Sequence, residues 1–274
     1  LIITALVENS TLSKDYKNKH GLCLHIKTKS HNILFDLGPD DTFIKNAKKL
    51  NINIEDVDIV VISHGHKDHG GGLEAFLNHN SKAKIYINEN AFGLYYTSLL
   101  KYGKYYVGLN TELKDNSRVI LTNETFNIDS DIFLVSKVQG KMLTSSSNES
   151  LFRKEGTKYV QDTFDHEQNL IIKENDNYIL ISGCSHCGIT NIIDRVEKVI
   201  GKEIYTAIGG FHLFNPVTNK SESEEFINSL GEYIYNSNIK FYTCHCTGVK
   251  PFEILHKKLG DQIDYLATGK VIEI

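Results

Sequence analysis

The chain has 274 residues, 41% of them hydrophobic, a formal net charge of −4 and five cysteines. A chain this long buries roughly three quarters of its unfolded surface without staples. Its charges form no basic stripe of the kind a nucleic acid requires, and no apolar run approaches the roughly 18 residues that span a bilayer. The expectations are a small-molecule substrate, no nucleic-acid or membrane partner, and a cytoplasmic location, since the apolar opening Leu1 to Val7 is too short for the core of a signal peptide. Oligomeric state stays open.

Residues 1–7, 22–27 and 32–36 read as strands, the second alternating Leu22, Leu24 and Ile26 with Cys23, His25 and Lys27. Cys23 is read as an ordinary packing residue. Asp41 introduces a helix to about residue 50, and residues 58–62 form a short β-branched run expected of a buried strand. A helix begins at Leu73, residues 83–87 are a further strand, and the tyrosine-rich stretch 91–106 is expected to be helical. Its Tyr95, Tyr96, Tyr102, Tyr105 and Tyr106 suit packing or a subunit contact, with an aromatic lid as the rival.

The second half repeats the plan. Residues 132–138, 169–173 and 178–181 are expected strands, followed by a glycine-cysteine-histidine turn and a helix over 191–200. A strand over 203–208 ends in Gly209-Gly210-Phe211-His212. Ser221 with Glu224 suggests a capping box for a helix to about residue 236. A strand over 240–243 delivers Cys244-His245-Cys246, and Pro251 suits the first turn of the last helix. Strands followed by helices in both halves imply one α/β domain over 1–274, an αββα sandwich of two mixed β-sheets flanked by helices, with pseudo-symmetric halves of about 1–125 and 126–274.

Chemistry concentrates where the strand over 58–62 ends. His64, His66, Asp68 and His69 fall within six residues, followed by Gly70, Gly71 and Gly72. Imidazoles and a carboxylate are ligands for zinc, which in catalytic sites keeps a position free for water. The glycines are expected to allow positive φ and close approach of a ligand. His64 and His66, two apart in an extended segment, suit one ion, and Asp68 with His69 suit a second. Completing the coordination requires donors from elsewhere: Cys184, His186, His212 and His245 are the candidates. A separate structural zinc site of Cys184, Cys187, Cys244 and Cys246 is the competing use of the cysteines.

His-x-His-x-Asp-His after a strand resembles the metallo-β-lactamase superfamily. Leu6-Val7-Glu8-Asn9, His20-Gly21-Leu22, Ile33 to Gly38, Gly183-Cys184-Ser185-His186, Gly209 to Leu213 and His245-Cys246-Thr247-Gly248 are similar to its methanopterin-pathway synthase branch. The resemblance implies an αββα sandwich with a dinuclear site at one edge, His245 as the last ligand and His20 beside the site. Two departures stand out. The isolated histidine of the superfamily has no clear counterpart, though His166 and Asp162 lie in about the right stretch, and Cys184 occupies the strand end of the bridging carboxylate. His186 is the candidate replacement for that histidine.

The leading expectation is a hydrolase of a small phosphorylated or ester-like metabolite that uses a metal-bound hydroxide. One or two divalent ions would serve, zinc first, with iron or manganese as alternatives. Asp68 and His212 are the candidate catalytic groups. The alternatives are a transferase joining a dihydropterin pyrophosphate to an aryl ribosyl phosphate, and a non-catalytic metal-binding sensor. His166, Lys141, Arg153 and Lys154 are expected to be solvated surface, and His25, His31, His79 and His256 ordinary surface or packing residues.

Overall fold

The computed structural model describes residues 1–98 and 103–274. Two seven-stranded sheets dominate it. The first runs Val271–Glu273, Ile2–Val7, Cys23–Lys27, Asn32–Phe35, Ile59–Ile62, Lys84–Asn88 and Val119–Thr122. The second runs Ile263–Tyr265, Lys240–Thr243, Thr206–Gly209, Asn177–Ile181, Gln168–Glu174, Ile132–Ser136 and Thr125–Asn127. In each sheet the strands after the antiparallel meander pair in parallel, except Val271–Glu273, which returns antiparallel to Ile2–Val7.

Alternation along the strands explains the layering. In Ile59–Ile62, Ile59 and Val61 face the core between the sheets, where they meet Leu134, Leu170, Ile179 and Ile208 of the second sheet. Val60 and Ile62 point the other way, against Phe43, Ala47 and Phe76 of the helices Thr42–Lys49 and Leu73–His79. A strand covered on both faces has no polar side, so its sequence reads as a continuous apolar run. On the far side, Ile189, Ile192, Ile193 and Val196 repeat at helical spacing along Ile189–Ile200 and cover the second sheet together with the helices Glu224–Tyr235 and Val249–Leu259. The result is the expected αββα sandwich.

Three local expectations change. The stretch 91–106 is not a helix where it is described: Tyr95–Ser98 and Lys104–Tyr106 are strands of a small sheet with Leu151–Glu155 and Lys158–Gln161. Aromatic and β-branched residues favour strands once partners are available, and Tyr102 lies outside the described residues. The cap of Glu224–Tyr235 is Ser223, whose side chain accepts the Phe226 N–H, whereas Ser221 lies in a two-residue strand paired with Phe214–Asn215. Gly70, Gly71 and Gly72 have no positive φ. They are needed because the chain crosses itself: a Cβ on Gly71 would stand 2.4 Å from the Pro39 carbonyl oxygen, and one on Gly72 2.4 Å from that of Leu37.

Among the described residues no helix is long and apolar enough to cross a membrane.

Candidate metal centre

Asp36, His64, Cys184, His212 and His245 all follow the carboxyl ends of parallel strands, so that edge of the sandwich gathers residues more than 200 positions apart. Several of the turns are strained. Asp36, Ser185, His212 and His245 hold positive φ between 52° and 60° or, for His245, 51°, a conformation that costs a non-glycine residue of order 1 kcal/mol and persists only where the surroundings enforce it. Gly183 is required by space: a Cβ there would meet the Ser63 hydroxyl at 2.3 Å.

Among the described residues, several overlapping donor groups form, and two of them hold the expected ligands. The ring nitrogens of His64, His66 and His186 converge, and the Nε2 atoms of all three are buried without a hydrogen-bond partner. Beside them, His69 Nε2 lies 3.1 Å from Cys184 Sγ and 3.2 Å from His245 Nε2. Asp68 Oδ2 lies 3.3 Å from His245 Nε2 and 3.7 Å from His69 Nε2. His64 and Cys184 also approach across the two groups. The structure thus brings together every residue expected as a ligand, with His186 joining His64 and His66, and Cys184 and His245 joining Asp68 and His69.

The rings are aimed by their other nitrogens. Ser63 donates its hydroxyl proton to Asp36 at 2.8 Å, so the His64 Nδ1–H donates to the Ser63 oxygen at 2.8 Å. His69 Nδ1–H donates to Asp36 at 2.6 Å, His186 Nδ1–H to Asn148 Oδ1 at 2.9 Å, and His245 Nδ1–H to Asn9 Oδ1 at 2.9 Å. For the neutral rings of His64 and His186 the bond leaves the Nε2 lone pair directed inward, the outer arrangement that metal-binding histidines use, while Asp36 fixes the orientation of His69, which a cation would deprotonate on binding. Behind His245, the buried Glu8 accepts the His245 N–H and the Tyr265 hydroxyl, both at 2.7 Å.

Electrostatics agree. Burial, reinforced by neighbouring imidazoles, lowers the pKa of His64 and His186, and lowers that of His66 to about 3, so all three are neutral lone-pair donors at pH 7. Burial also opposes a charge on His69, but Asp36 and Asp68 outweigh it and push it up to about 9. Against its own burial, Asp68 is held well below the usual carboxylate range by His69, His20 and His245. The thiols are linked: burial and Cys246 push Cys184 up, while Cys184 and His212 favour the thiolate at Cys246 despite its burial. Unpartnered inward lone pairs, neutral rings and anions on one side fit a divalent cation.

Other candidates resolve individually. His212 is buried with both ring nitrogens unpartnered, its ring 4.3 Å from that of His186. His20 meets Asp68 at 3.3 Å. His166 is not solvated surface: it is fully buried, accepts the Gly65 N–H at Nδ1 and donates from Nε2 to Asp162 at 3.1 Å. With both nitrogens engaged, it braces the His64–His66 turn, whereas the unpartnered Nε2 of His186 converges with those of His64 and His66. Lys141 is exposed, Lys154 half-buried, and Arg153 pairs with Glu155 at 2.7 Å and Asp165 at 3.3 Å. The four-cysteine alternative fails because Cys244 faces the core between the sheets and the Cys187 thiol turns toward the Phe164 carbonyl, whereas Cys184 and Cys246 group with His245. Asp36, Asn9 and Asn148 escaped the residue-by-residue reading. Asn9 and Asp36 follow strands, a position shared with the ligands, and Asn148 carries no local signal.

A cavity of about 420 Å³ opens onto the centre. Its lining includes the apolar Val107, Leu151, Phe214, Pro216 and Val217, the basic Lys19, His20 and Lys67, and Asp68, His66, His186, His212 and His245 of the centre.

Comparison with known proteins agrees with this geometry. A sequence model of the metallo-β-lactamase superfamily matches residues 18–145. The 7,8-dihydropterin-6-methyl-4-(β-D-ribofuranosyl)-aminobenzene-5′-phosphate synthase of Methanocaldococcus jannaschii is 27% identical, covering 96% of this chain and 95% of its own. The uncharacterized protein MJ0448 of the same organism is 30% identical, with 100% of each chain covered. Among solved structures, Tm1679, a metal-dependent hydrolase of the β-lactamase superfamily, superposes with a TM-score of 0.82 at 27% identity over 100% of this chain and 98% of its own. Zinc-bound PqqB from Methylobacterium extorquens shares the fold at 11% identity, with a TM-score of 0.59 and 100% of each chain covered. The chain belongs to the metallo-β-lactamase superfamily.

Proposed function

We propose that this protein is a metal-dependent hydrolase of a small phosphorylated or ester-like metabolite. The observation that carries the reading is the convergence of three buried, unpartnered Nε2 atoms, from His64, His66 and His186, beside a cavity that His66 and His186 line. Leaving three ring nitrogens buried and unsatisfied costs about 1–3 kcal/mol each, a penalty that a bound cation removes. The full-length similarity to a metal-dependent hydrolase points the same way.

His64, His66 and His186 would hold one ion, and Asp68, His69, Cys184 and His245 a second, with zinc the first choice for this nitrogen and sulfur set and iron or manganese the alternatives. A divalent ion held there supplies Lewis acidity, lowering the pKa of water to about 7 and polarising a phosphoryl or carbonyl oxygen. The protein's own groups do the rest. Asp68, kept anionic by its imidazole neighbours, orients the attacking water by accepting a hydrogen bond from it, and the water's proton passes to solvent as its oxygen bonds to phosphorus or carbon. His212, lining the cavity with both nitrogens free, donates a proton to the leaving oxygen as the ester bond breaks. Lys67 offers positive charge to a substrate anion, while Lys19 beside it is paired with Asp40 and His20 with Asp68.

The test is metal analysis of protein purified without added metal, followed by assays on phosphomonoesters, phosphodiesters and lactones with zinc, manganese or iron. Turnover abolished by chelation and lowered at least about 100-fold in His186→Ala is expected. Silence on every substrate with metal retained would overturn the hydrolase reading in favour of a ligand-binding sensor.

A second reading is favoured by the synthase similarity over nearly the whole chain and by the apolar cavity wall, which suits a planar ring. It is transfer of a dihydropterin from its pyrophosphate ester to an aryl ribosyl phosphate. Pyrophosphate release that depends on both substrates supports it, and no release removes it.

A further inference from the structure

Cys246 has no part in the donor set assigned above, yet it lies at its edge. It follows His245 in the short turn His245–Thr247, is 4% exposed, and its Sγ, the Cys184 Sγ and a His245 ring nitrogen all fall within 4.8 Å of one another. The pocket around the sulfur is shaped for it. A Cβ on Gly210 would stand 2.4 Å from Cys246 Sγ, so only glycine leaves room there. The His212 backbone N–H donates to the sulfur at 3.3 Å, as backbone amides do to thiolates, and the sulfur also lies 3.5 Å from the Cys184 carbonyl, which accepts its proton when it is a thiol. Bond lengths of about 2.05 Å to imidazole and 2.3 Å to thiolate give a tetrahedral zinc site edges of about 3.3–3.8 Å. The 3.1 and 3.2 Å separations of His69 from Cys184 and His245 already lie near that range, and the Cys246 sulfur stands beside both Cys184 and His245.

We infer that Cys246 is a second thiolate donor to the cation position of His69, His245 and Cys184, making it a two-imidazole, two-thiolate site for thiophilic divalent ions. The inference rests on the metal-dependent reading above. Softness of the donors selects zinc, cadmium or cobalt over magnesium or manganese. It also divides the labour. Two thiolates neutralise a divalent charge, so this position organises the site, while the position of three neutral imidazoles keeps the full charge and is the more electrophilic. Asp68, 24% exposed in its side chain and shared between His20 and His245, is then free to face the cavity.

Cobalt substitution under reducing conditions tests this. Wild-type protein loaded with cobalt is expected to show sulfur-to-cobalt charge-transfer absorption in the near ultraviolet. That intensity should fall to about half in Cys246→Ser and in Cys184→Ser and vanish in the double variant, with the visible ligand-field bands persisting. Full intensity in Cys246→Ser overturns the inference. So does bound cobalt in the wild type with no charge-transfer band, which leaves the metal-dependent reading standing. Failure of the wild type to bind cobalt at all removes that reading as well. Should the variants not fold, ¹¹³Cd NMR of the unaltered protein decides: a shift characteristic of two thiolates supports the assignment, and one characteristic of a single thiolate or none rejects it.

Discussion

Asn148 grips His186 at two points, accepting the ring Nδ1–H at 2.9 Å and donating its own amide to the His186 carbonyl at 2.8 Å. Removing it leaves the imidazole present but unaimed. Asn148→Ala is therefore expected to weaken metal at the His64, His66 and His186 position by about 10–100-fold, measured by competition with a chromophoric chelator, while the Asp68 and His69 position keeps its ion. Loss of both ions together would contradict this division. His186→Ala should lower bound metal by about one equivalent, and His245→Ala should do the same at the other position. Unchanged metal in His245→Ala, read by elemental analysis, would detach the C-terminal half from the centre. A residue outside the centre sets a pH dependence. His25 is buried on its strand, and burial with help from Lys27 lowers its pKa to about 4. The unfolded chain takes up a proton near pH 6.5 that the folded chain refuses until about 4, so stability is full above 6.5 and falls as pH drops through that window. The shift is worth on the order of 3 kcal/mol, and His25→Gln should flatten this part of a denaturation profile across pH 4–7.

At the scale of elements, the site is a property of strand ends. Strand, ligand turn and helix recur as Ile59–Ile62 with His64 and Leu73–His79, Asn177–Ile181 with Cys184 and Ile189–Ile200, and Lys240–Thr243 with His245 and Val249–Leu259. Parallel strands point their carboxyl ends to one edge, where donors from distant turns meet. The helices secure this arrangement from outside. Phe43 is fully buried between its helix and the first sheet, and Phe43→Ala should cost about 3–5 kcal/mol by the cavity it leaves, measured by urea denaturation. Periodicity made most of these elements legible, because β-branched runs and helical repeats are local. It failed over 91–106, where tyrosines at mixed spacing suit either structure and the partner of Tyr95–Ser98, Leu151–Glu155, lies far along the chain.

Across the whole molecule, the two ends of the chain close on each other and on the site. Val271–Glu273 pairs with Ile2–Val7, and Glu8 and Asn9 hold His245 from 237 and 236 residues away. A cation bound at such a junction ties both sheets together. Its removal is expected to lower the melting temperature by roughly 5–10 °C, since metal at 100 times its dissociation constant contributes about 2.7 kcal/mol. Calorimetry with and without chelator measures this, and restoration by added zinc separates metal loss from damage. The sequence by itself determined the sandwich, the superfamily and the candidate donors His64, His66, Asp68 and His69, because strand patterns and a six-residue cluster are written in adjacent residues. Only the tertiary structure decided that His186 rather than His166 joins them, that Asp36, Asn9 and Asn148 aim the rings, and that Cys246 stands beside Cys184. Those relations are hydrogen bonds and close approaches between turns distant along the chain, and local sequence carries no trace of which lone pair a folded turn will turn inward.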